Sequence, residues 1–421
     1  MTGGQRIYFD HHATTPVDPR VLEAMLPWFG ERFGNAASRN HAFGWEADRA
    51  VAEAREGLAA GFRADPRGLI FTSGATEANN LALFGVARAF GPRKGHLVTG
   101  ATEHPSVLDP LRALARQGWD VTELGVDSQG RLDLAELRAA LRPETVLVSL
   151  MHANNEVGTL HPIGEIGAIC RERGILFHTD AAQSAGKEFL DVEKQAVDLL
   201  TVSSHKIYGP KGAGFLWVRR RSPRVILEPL LLGGGHEQGL RSGTLNVPGI
   251  VGMAAALRIA PSSCEEENAR IARLRDRLQE KITSALERVR VHGDPGRRLA
   301  GNLNLSFEFV QAEALLRELE GVALSTGSAC TTAELKPSHV LRAMGVPDRL
   351  AAGSLRFGLG RFNTIEEVDA VAEQVVRTVG RLRERSPLWR MAREDGPAST
   401  PLRSPDESSP TALTGTTPEQ A

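Results

Sequence analysis

The sequence has few cysteines, few aromatic residues and no excess of charge of either sign. Its 421 residues include 3 cysteines, and aromatic residues make up 5% of the chain. The cysteines lie far apart, with no CxxC pair and no Cys/His cluster, so neither a disulfide framework nor a structural zinc site is predicted. The formal net charge of −1 excludes a global basic field for nucleic acid or for an anionic membrane surface.

Long apolar runs are absent as well. No run approaches the roughly 18–20 apolar residues that span a bilayer, and the first six residues lack the apolar region of a secretory signal. A hydrophobic content of 41% still provides a sizeable core and favours more than one domain. The simplest interpretation is a cytoplasmic protein whose thiols stay reduced.

Between about residues 68 and 218, short β-rich runs alternate with longer amphipathic stretches. Such alternation predicts an α/β domain with a mostly parallel sheet that is covered on both faces. A helix is expected over residues 76–90. The expected strands are 69–72, 146–150, 175–178, 199–202 and 215–218.

After a helix that ends near Ala260, the pattern changes to that of a smaller α+β unit. We expect a large domain over 16–262, a small domain made of 1–15 and 263–393, and a disordered tail over 394–421 that is rich in Pro, Ser and Thr. The elements expected in the small domain are a charged helix over 265–289, a strand over 303–309, a helix over 311–319, a strand over 355–359 and a long helix from Thr364.

Lys206 follows the run Ser203-Ser204-His205 directly after an apolar strand. In open α/β sheets, ligands bind beyond the carboxyl ends of the strands. A lysine amine at that place can form a Schiff base with an aldehyde cofactor. Taken alone, Lys206 would most simply be a solvated surface lysine, so its companions decide its interpretation.

Four other polar clusters also follow apolar strands. Asp180 could pair with a protonated pyridine nitrogen, with Gln183 near the ring hydroxyl, or it could simply cap a helix. The turn before Thr76 offers backbone N–H groups to a phosphate, although Thr76 could itself be a cap. His104 could stack on a ring, and Asn155 could donate to a ring oxygen or to a substrate carboxylate. Because the sheet brings strand ends together, the five clusters predict one site.

Cys330 lies in a segment, 325–332, that is rich in small and hydroxyl residues. A thiol there is expected to be exposed, and exposure matters because the thiolate is the nucleophile. Cys170, between apolar residues of a helix, and Cys264, at the domain boundary, are expected to be inert.

These motifs resemble those of the class V aminotransferase-fold family of pyridoxal-phosphate enzymes and, within it, the IscS/NifS-type cysteine desulfurases. The resemblance runs from about Ile7 to about Met391. The matching motifs are Ala13-Thr14-Thr15-Pro16, Phe33-Gly34-Asn35 with Ser38, Gly74-Ala75-Thr76-Glu77, Thr102-Glu103-His104, Asn154-Asn155-Glu156, Asp180-Ala181-Ala182-Gln183, Ser203-Ser204-His205-Lys206, Arg241-Ser242-Gly243-Thr244, Ser328-Ala329-Cys330 and Leu355-Arg356-Phe357.

The resemblance implies an aspartate aminotransferase-like fold, with Lys206 bonded to pyridoxal 5'-phosphate and Asp180 paired with its pyridine nitrogen. His104 would stack on the ring and act in catalysis, and Arg356 and Asn155 would bind the substrate. The remaining cofactor contacts would come from Gln183 and Asn155 at the ring oxygen, from Ala75, Thr76, Ser203 and His205 at the phosphate, and from Thr244 at the phosphate of a neighbouring subunit in a homodimer.

The implied activity is the removal of sulfur from L-cysteine, which gives L-alanine and a persulfide on Cys330. The sulfur would pass to an iron–sulfur scaffold protein or to other acceptors, such as those for tRNA or cofactor thiolation. No fixed metal site is expected, although Cys330 could transiently bind a cluster on the scaffold. Lys206 or His104 would remove the Cα proton.

Three alternatives stay open at this stage. A selenocysteine lyase would use the same residues, and a transaminase of this fold would not need Cys330. A sulfur-transfer scaffold without catalysis would not need Lys206 and Asp180. The products separate them: alanine and sulfide from cysteine indicate a desulfurase, and a keto acid indicates a transaminase.

Overall fold

The structure is a computed structural model that describes residues 6–221, 223–260, 265–326 and 338–394. The strands of the described part are β1 Ile7–Tyr8, β2 Leu69–Thr72, β3 His96–Gly100, β4 Asp120–Leu124, β5 Thr145–Ser149, β6 Leu176–Asp180, β7 Leu199–Ser203, β8 Gly214–Val218, β9 Val289–His292, β10 Asn302–Phe307, β11 Val322–Ala323 and β12 Ser354–Gly358.

The described residues also form α-helices. They are α1 Pro19–Met25, α2 Ala42–Gly61, α3 Ala75–Phe90, α4 Pro105–Arg116, α5 Leu134–Ala140, α6 Ile163–Glu172, α7 Val247–Ile259, α8 Glu265–Ala285, α9 Ala312–Glu318, α10 His339–Ala343, α11 Asp348–Ala351, α12 Ile365–Arg385 and α13 Pro387–Glu394.

A mostly parallel sheet forms the centre of the larger part of the molecule. Within the described residues it has the order β2-β8-β7-β6-β5-β3-β4, and β8 alone runs against its neighbours β2 and β7. All the other pairs are parallel. Strands β2, β7, β6, β5 and β3 therefore share one direction, and their carboxyl ends lie at the same edge. The α/β fold predicted from the alternating pattern is confirmed.

Alternate residues of these strands enter two different cores, as the two-residue period of a strand requires. Leu69 and Phe71 of β2 pack into one core together with α2, α6 and α7. Ile70, the residue between them, packs into a second core with α3 and α4 on the opposite face. Because helices cover both faces, every residue of β2, β3, β7 and β8 is buried.

A third core belongs to the smaller part of the chain. Strands β12, β10 and β9 form an antiparallel sheet in that order, and the helices α8 and α12 pack against each other and against this core. The two-stranded pair β1–β11 brings the N-terminal segment alongside it. The division into domains proposed from the sequence is compatible with separate cores, and its boundaries stay a prediction.

One predicted element extends too far. The charged helix expected over 265–289 ends at Ala285, and the backbone turns at Arg288, which has a φ of +53°. Val289–His292 then pairs with β10, because Val289 and Val291 supply an apolar alternation that fits an edge strand. None of the helices in the described ranges is both long and apolar enough to cross a membrane.

Candidate active site

The five polar clusters predicted from the sequence lie at the shared edge of the central sheet. Thr76 follows β2, His104 follows β3 and Asn155 follows β5, whereas Asp180 is the last residue of β6. Lys206 ends a single 3₁₀ turn, Ser204–Lys206, directly after β7. The chain order of these clusters differs from their order across the sheet, and only the parallel topology brings them together.

Lys206 is held by the backbone of the N-terminal segment. Its Nζ atom donates to the carbonyl oxygens of His12 and Ala13, the latter at 2.8 Å. Thr15 fixes the two segments to each other, because its hydroxyl donates to the His205 carbonyl at 3.0 Å and accepts the Tyr208 N–H at 2.8 Å. The Ala13-Thr14-Thr15 motif thus positions the lysine.

Asp180 and His104 are connected through two bridging side chains. The Asn79 amide donates to Asp180 Oδ2 at 2.7 Å and to Ser106 Oγ at 2.9 Å. Ser106 Oγ lies 2.8 Å from His104 Nδ1, and the Ser106 N–H donates to the same nitrogen at 3.1 Å. Since Nδ1 accepts that N–H, the neutral ring of His104 carries its proton on Nε2.

Burial sets the charge state of His104. Desolvation lowers the pKa of His104, and the Lys206 charge lowers it further, whereas the Asp180 carboxylate opposes both effects. These interactions also show that Lys206 and Asp180 lie near the imidazole. The ring is therefore neutral at neutral pH and has an N–H to donate.

The first turn of α3 has no side-chain cap. Its N-cap is Gly74, which has a φ of +150° and provides no side chain to cap the helix. The backbone N–H groups at this helix start, with Ala75 and Thr76 as its first residues, can therefore serve a ligand. Ser203 Oγ lies 3.9 Å from the place where a Cβ of Gly74 would stand.

His205 lies in the 3₁₀ turn that ends at Lys206. Its Nδ1 is 3.1 Å from Thr14 Oγ1. Burial lowers the pKa of His205 to about 4, and the charge of Lys206 adds to the shift. The capping role considered for Thr76 is not observed, whereas Asp180 does accept the Ala182 N–H at 2.8 Å in the manner of a cap.

Gln183 forms two hydrogen bonds with His12. Its Nε2 donates to the His12 carbonyl at 3.0 Å, so its Oε1 faces His12 Nδ1 at 3.1 Å and accepts the ring proton. His12 Nε2 consequently presents a lone pair, and this buried atom has no hydrogen-bond partner within the described residues. Burial holds the pKa of His12 well below its usual value, with Lys187, Arg356 and Lys206 adding their charges.

Arg356 on β12 points from the smaller sheet into the same region. The guanidinium donates to the Asn155 carbonyl at 3.0 Å, to Asp10 Oδ1 at 2.9 Å and to Ser325 Oγ at 2.7 Å. Its Nε atom is buried and has no partner in the part of the chain that the structure describes. A buried cation with an unused donor is a plausible anchor for a carboxylate.

Glu103 and Asn154 stabilise the loops that carry His104 and Asn155. Glu103 Oε1 accepts the Met151 N–H at 2.8 Å, and complete burial raises the pKa of Glu103 well above its usual range. Asn154 donates to the Thr102 carbonyl at 3.0 Å, and its Oδ1 accepts the N–H groups of Glu156 and Val157. Asn154 is therefore structural, and its neighbour Asn155 is left for a ligand.

Four residues singled out in the sequence analysis either lie outside the described residues or are not part of this arrangement. Cys330 and Cys264 lie outside the described residues. Thr244 is exposed on a loop that the Arg241–Glu77 ion pair, at 2.8 Å, ties to the first turn of α3. Cys170 is buried in α6, and burial raises its pKa to about 12, as expected of an inert core thiol.

Sequence reasoning missed His12, Asn79 and Glu103. No role was assigned to the His11-His12 pair, although it directly precedes the Ala13-Thr14-Thr15 motif. Asn79 did leave a signal, because it is a polar residue on the buried face of α3, one helical turn after Ala75. The contact of Glu103 with Met151 joins two distant segments, which no local pattern reports.

The residues present fit pyridoxal phosphate. A reactive amine, Lys206, lies at the same sheet edge as Asp180, whose carboxylate can pair with a pyridine nitrogen. The uncapped start of α3 suits a phosphate, and the neutral ring of His104 suits stacking and proton transfer. Each part of the cofactor therefore has a chemically matched group.

Comparison with known protein families shows which family the chain resembles. Residues 7–371 match the model of the family described as aminotransferase class-V. A protein named cysteine desulfurase IscS, from Anaeromyxobacter sp. strain Fw109-5, is 56% identical over 388 residues, which cover 92% of this chain and 96% of that protein. A human protein named cysteine desulfurase is 52% identical over 388 residues, 92% of this chain and 85% of its own.

A solved structure has a similar fold. It is described as a NifS-like protein, and it superposes with a TM-score of 0.84 at 38% identity. The match covers 89% of this chain and 100% of that one. The fold and the sequence relatives therefore agree.

Proposed function

The chain belongs to the class-V aminotransferase family and, within it, to the IscS/NifS-type cysteine desulfurases, and from this premise we propose that Lys206, Asp180 and His104 are its central active-site residues. The enzyme depends on pyridoxal phosphate, takes sulfur from L-cysteine and supplies sulfur acceptors, including those of iron–sulfur cluster biosynthesis. The observation that carries the residue assignment is the Asp180–Asn79–Ser106–His104 chain of contacts at the sheet edge where Lys206 also lies.

We propose that Lys206 bonds to the cofactor aldehyde and that the start of α3, with Ser203 and His205, binds its phosphate. Pyridoxal phosphate, when bound, supplies an electron sink for the charge that develops at the substrate Cα. Asp180 keeps the ring nitrogen protonated and is itself oriented by Asn79 and the Ala182 N–H. Gln183 and Asn155 face the ring oxygen.

We propose that Arg356 binds the carboxylate of L-cysteine, with Asn155 beside it. The guanidinium is anchored by the Asn155 carbonyl and by Asp10, so its position does not depend on the ligand. A carboxylate held at this point orients the amino acid so that its Cα and Sγ face the sheet edge. Amines that correspond to an amino acid without its α-carboxylate are expected to bind weakly.

Two groups handle protons in this proposal. The Lys206 amine, once released, takes the proton from the substrate Cα. His104 donates from Nε2, which carries the ring proton because Nδ1 accepts the Ser106 N–H. A neutral imidazole is the required form, and the lowered pKa of His104 supplies it at neutral pH.

We propose Cys330 as the sulfur carrier. Its thiolate attacks the substrate sulfur, an S–S bond forms and the C–S bond breaks. The electron pair stays on the substrate Cβ, which takes a proton, and Cα regains the proton that Lys206 removed, so that L-alanine leaves and Cys330 keeps a persulfide. No external oxidant is needed. Cys170 cannot serve, since it is buried in α6 and its pKa is raised to about 12.

We further propose a cytoplasmic homodimer that passes sulfur to an iron–sulfur scaffold and to other acceptors. The loop that carries Thr244 is bridged to Leu231, whose neighbour Leu232 has a side chain that is 82% exposed. An apolar side chain so exposed beside this loop fits a subunit interface at which Thr244 reaches the neighbouring site. Assays of alanine formation from L-cysteine and from L-selenocysteine show whether the enzyme prefers sulfur or selenium.

The lysine assignment is tested by trapping. The holoenzyme is reduced with borohydride, digested and analysed by peptide mass spectrometry, with a Lys211→Ala variant as a matched control five positions after Lys206. The pyridoxyl adduct is expected on Lys206 in both proteins. An adduct on Lys187 or Lys211 instead would show that the wrong lysine was chosen.

A further inference from the structure

The Arg356 guanidinium is already heavily engaged before any substrate arrives. Of its five N–H donors, Nη2 uses one on Asp10 Oδ1 at 2.9 Å and the other on Ser325 Oγ at 2.7 Å. Nη1 donates to the Asn155 carbonyl at 3.0 Å. What remains is one Nη1 hydrogen and the buried Nε hydrogen, which has no partner among the residues described.

The shape of a guanidinium limits how a carboxylate can bind to it. Bidentate binding uses two adjacent nitrogens, either Nη1 with Nη2 or Nε with Nη2. Both edges include Nη2, and both hydrogens of Nη2 in Arg356 are taken. A substrate carboxylate can therefore bind with both oxygens only if Asp10 or Ser325 first gives up its contact.

We propose that the α-carboxylate of the amino-acid substrate replaces the Ser325 hydroxyl on Arg356 Nη2, while Asp10 stays. This inference rests on the proposed role of Arg356 as the carboxylate anchor. It makes Ser325 an internal competitor that lowers substrate affinity and Asp10 a positioning residue that holds the guanidinium. The ligand class is an α-amino acid with a free carboxylate.

Charge and hydrogen bonding decide which group leaves. Ser325 is neutral, and the hydrogen bond that its hydroxyl donates to Asp10 Oδ1, at 2.8 Å in the structure, can be replaced by one to water once the hydroxyl turns away. Displacing Asp10 would instead break an ion pair with a side chain that is 4% exposed, Arg356, and leave a partly buried carboxylate. Exchanging a hydroxyl for a carboxylate on a guanidinium is favourable, because it replaces a neutral acceptor with a charged one.

The exchange requires only a side-chain movement. The Ser325 carbonyl accepts the Arg356 N–H at 2.8 Å, so the backbone of Ser325 is tied to β12 beside the guanidinium. Asp10 is bridged to Gly358 two residues further along the same strand. Rotation about the Cα–Cβ bond of Ser325 is therefore sufficient, and rotamer changes of this kind are fast and inexpensive.

The test measures binding of L-alanine to the full-length holoenzyme, followed by the cofactor absorbance. L-Alanine carries the carboxylate but no sulfur to transfer. Ser325→Ala is expected to bind L-alanine roughly fivefold more tightly than the wild type, since a competing hydrogen bond to a charged group is removed. Asp10→Asn is expected to bind it more weakly. Arg356→Ala is expected to lose measurable binding.

Two controls make the result specific. Ser354→Ala removes a different buried serine hydroxyl, on β12, which donates to Asn304 Oδ1 at 3.0 Å rather than accepting from the guanidinium, and it should leave the affinity unchanged. Ethylamine has the carbon skeleton of alanine without the carboxylate, so its affinity should be the same in Ser325→Ala and in the wild type.

The outcomes separate this inference from the proposed function. Unchanged or weaker L-alanine binding by Ser325→Ala, with binding still lost in Arg356→Ala, would overturn the exchange and leave the role of Arg356 standing. Tighter binding by Asp10→Asn would show that Asp10 is the group displaced, which also overturns it. Unchanged binding by Arg356→Ala would overturn both proposals.

Discussion

Glu103 shows how a single buried carboxyl supports the site without being charged. It lies one residue before His104, accepts the Met151 N–H and has a second oxygen, Oε2, that is buried with no partner within the described residues. An ionised group in that state would be very costly. Its raised pKa favours the protonated form of this carboxyl in the folded protein.

Glu103→Gln is therefore expected to change the unfolding free energy by no more than about 1 kcal/mol at neutral pH, because a neutral amide replaces a neutral acid. The pH dependence is the sharper readout. In the wild type, stability falls as the pH rises above 4.5, the ordinary pKa of a glutamate that the unfolded chain recovers, toward the raised folded value. The variant should lack this component in urea unfolding measured across that range.

A matched change at Glu237 serves as the control. Glu237 is also buried, but it accepts from Arg55 at 2.7 Å and from the Phe71 N–H at 2.8 Å, so it acts as a charged partner. Glu237→Gln should cost roughly 1–3 kcal/mol at neutral pH. A larger loss for Glu103→Gln than for Glu237→Gln would contradict the assignment of a protonated Glu103.

At the scale of the elements, the start of α3 is the least replaceable backbone of the site. Gly74 has a φ of +150°, a region that side chains disfavour, and a Cβ at Gly214 on β8 would come within 2.6 Å of the Gly74 Cα. The turn between β2 and α3 thus requires a residue without a side chain and is tightly packed against its neighbour. Its conformation aims the N–H groups of α3 at the proposed phosphate.

Gly74→Ala is expected to destabilise the protein by about 1–2 kcal/mol and to weaken retention of the cofactor. Thermal unfolding gives the first quantity, and the cofactor absorbance left after dialysis gives the second. Gly57→Ala, in α2, is the matched control: no heavy atom lies within 4 Å of its added Cβ, so it should be neutral or slightly stabilising. Full cofactor retention by Gly74→Ala would contradict the phosphate assignment.

The elements also show what the sequence could and could not predict. The strand ends that carry Asp180, His104 and Lys206 were predictable, because apolar runs followed by polar residues are local features. The predicted end of α8 was wrong, since β9 forms through pairing with β10, and a strand of four residues leaves a short and ambiguous local pattern.

The role of His12 could not be found for a related reason. Its contacts with Gln183 and Lys206 join residues separated by more than 170 positions in the chain. They exist only because the N-terminal segment crosses from the smaller sheet to the edge of the larger one. Spacing along the sequence carries no record of such a crossing.

At the scale of the whole molecule, the N-terminal segment and Arg361 join the two parts of the chain. Arg361 pairs with Asp18 at 2.9 Å and with Glu267 at 2.8 Å, and its guanidinium lies 4.3 Å from the ring centre of Tyr208. These contacts hold the larger sheet, which carries Lys206, against the smaller sheet, which carries Arg356. The proposed site exists only where these two parts meet.

The proposed homodimer is tested at the same scale. Leu232→Asp introduces a charge at the exposed apolar side chain beside the Thr244 loop, and it should shift the protein toward the monomer in sedimentation velocity at micromolar concentration. Ile365→Asp, at the first residue of α12 and 45% exposed, is the control and should leave the mass unchanged. An unaltered dimer in Leu232→Asp would place the interface elsewhere.

The most direct test of the account is to find where the sulfur goes. Holoenzyme is treated with L-cysteine, alkylated without a reductant and analysed by peptide mass spectrometry, with L-alanine quantified in the same sample. The account predicts one extra sulfur atom on the peptide that contains Cys330, and alanine in equal amount. Extra sulfur on Cys170 or Cys264, or alanine formed by Cys330→Ala at the wild-type rate, would contradict it.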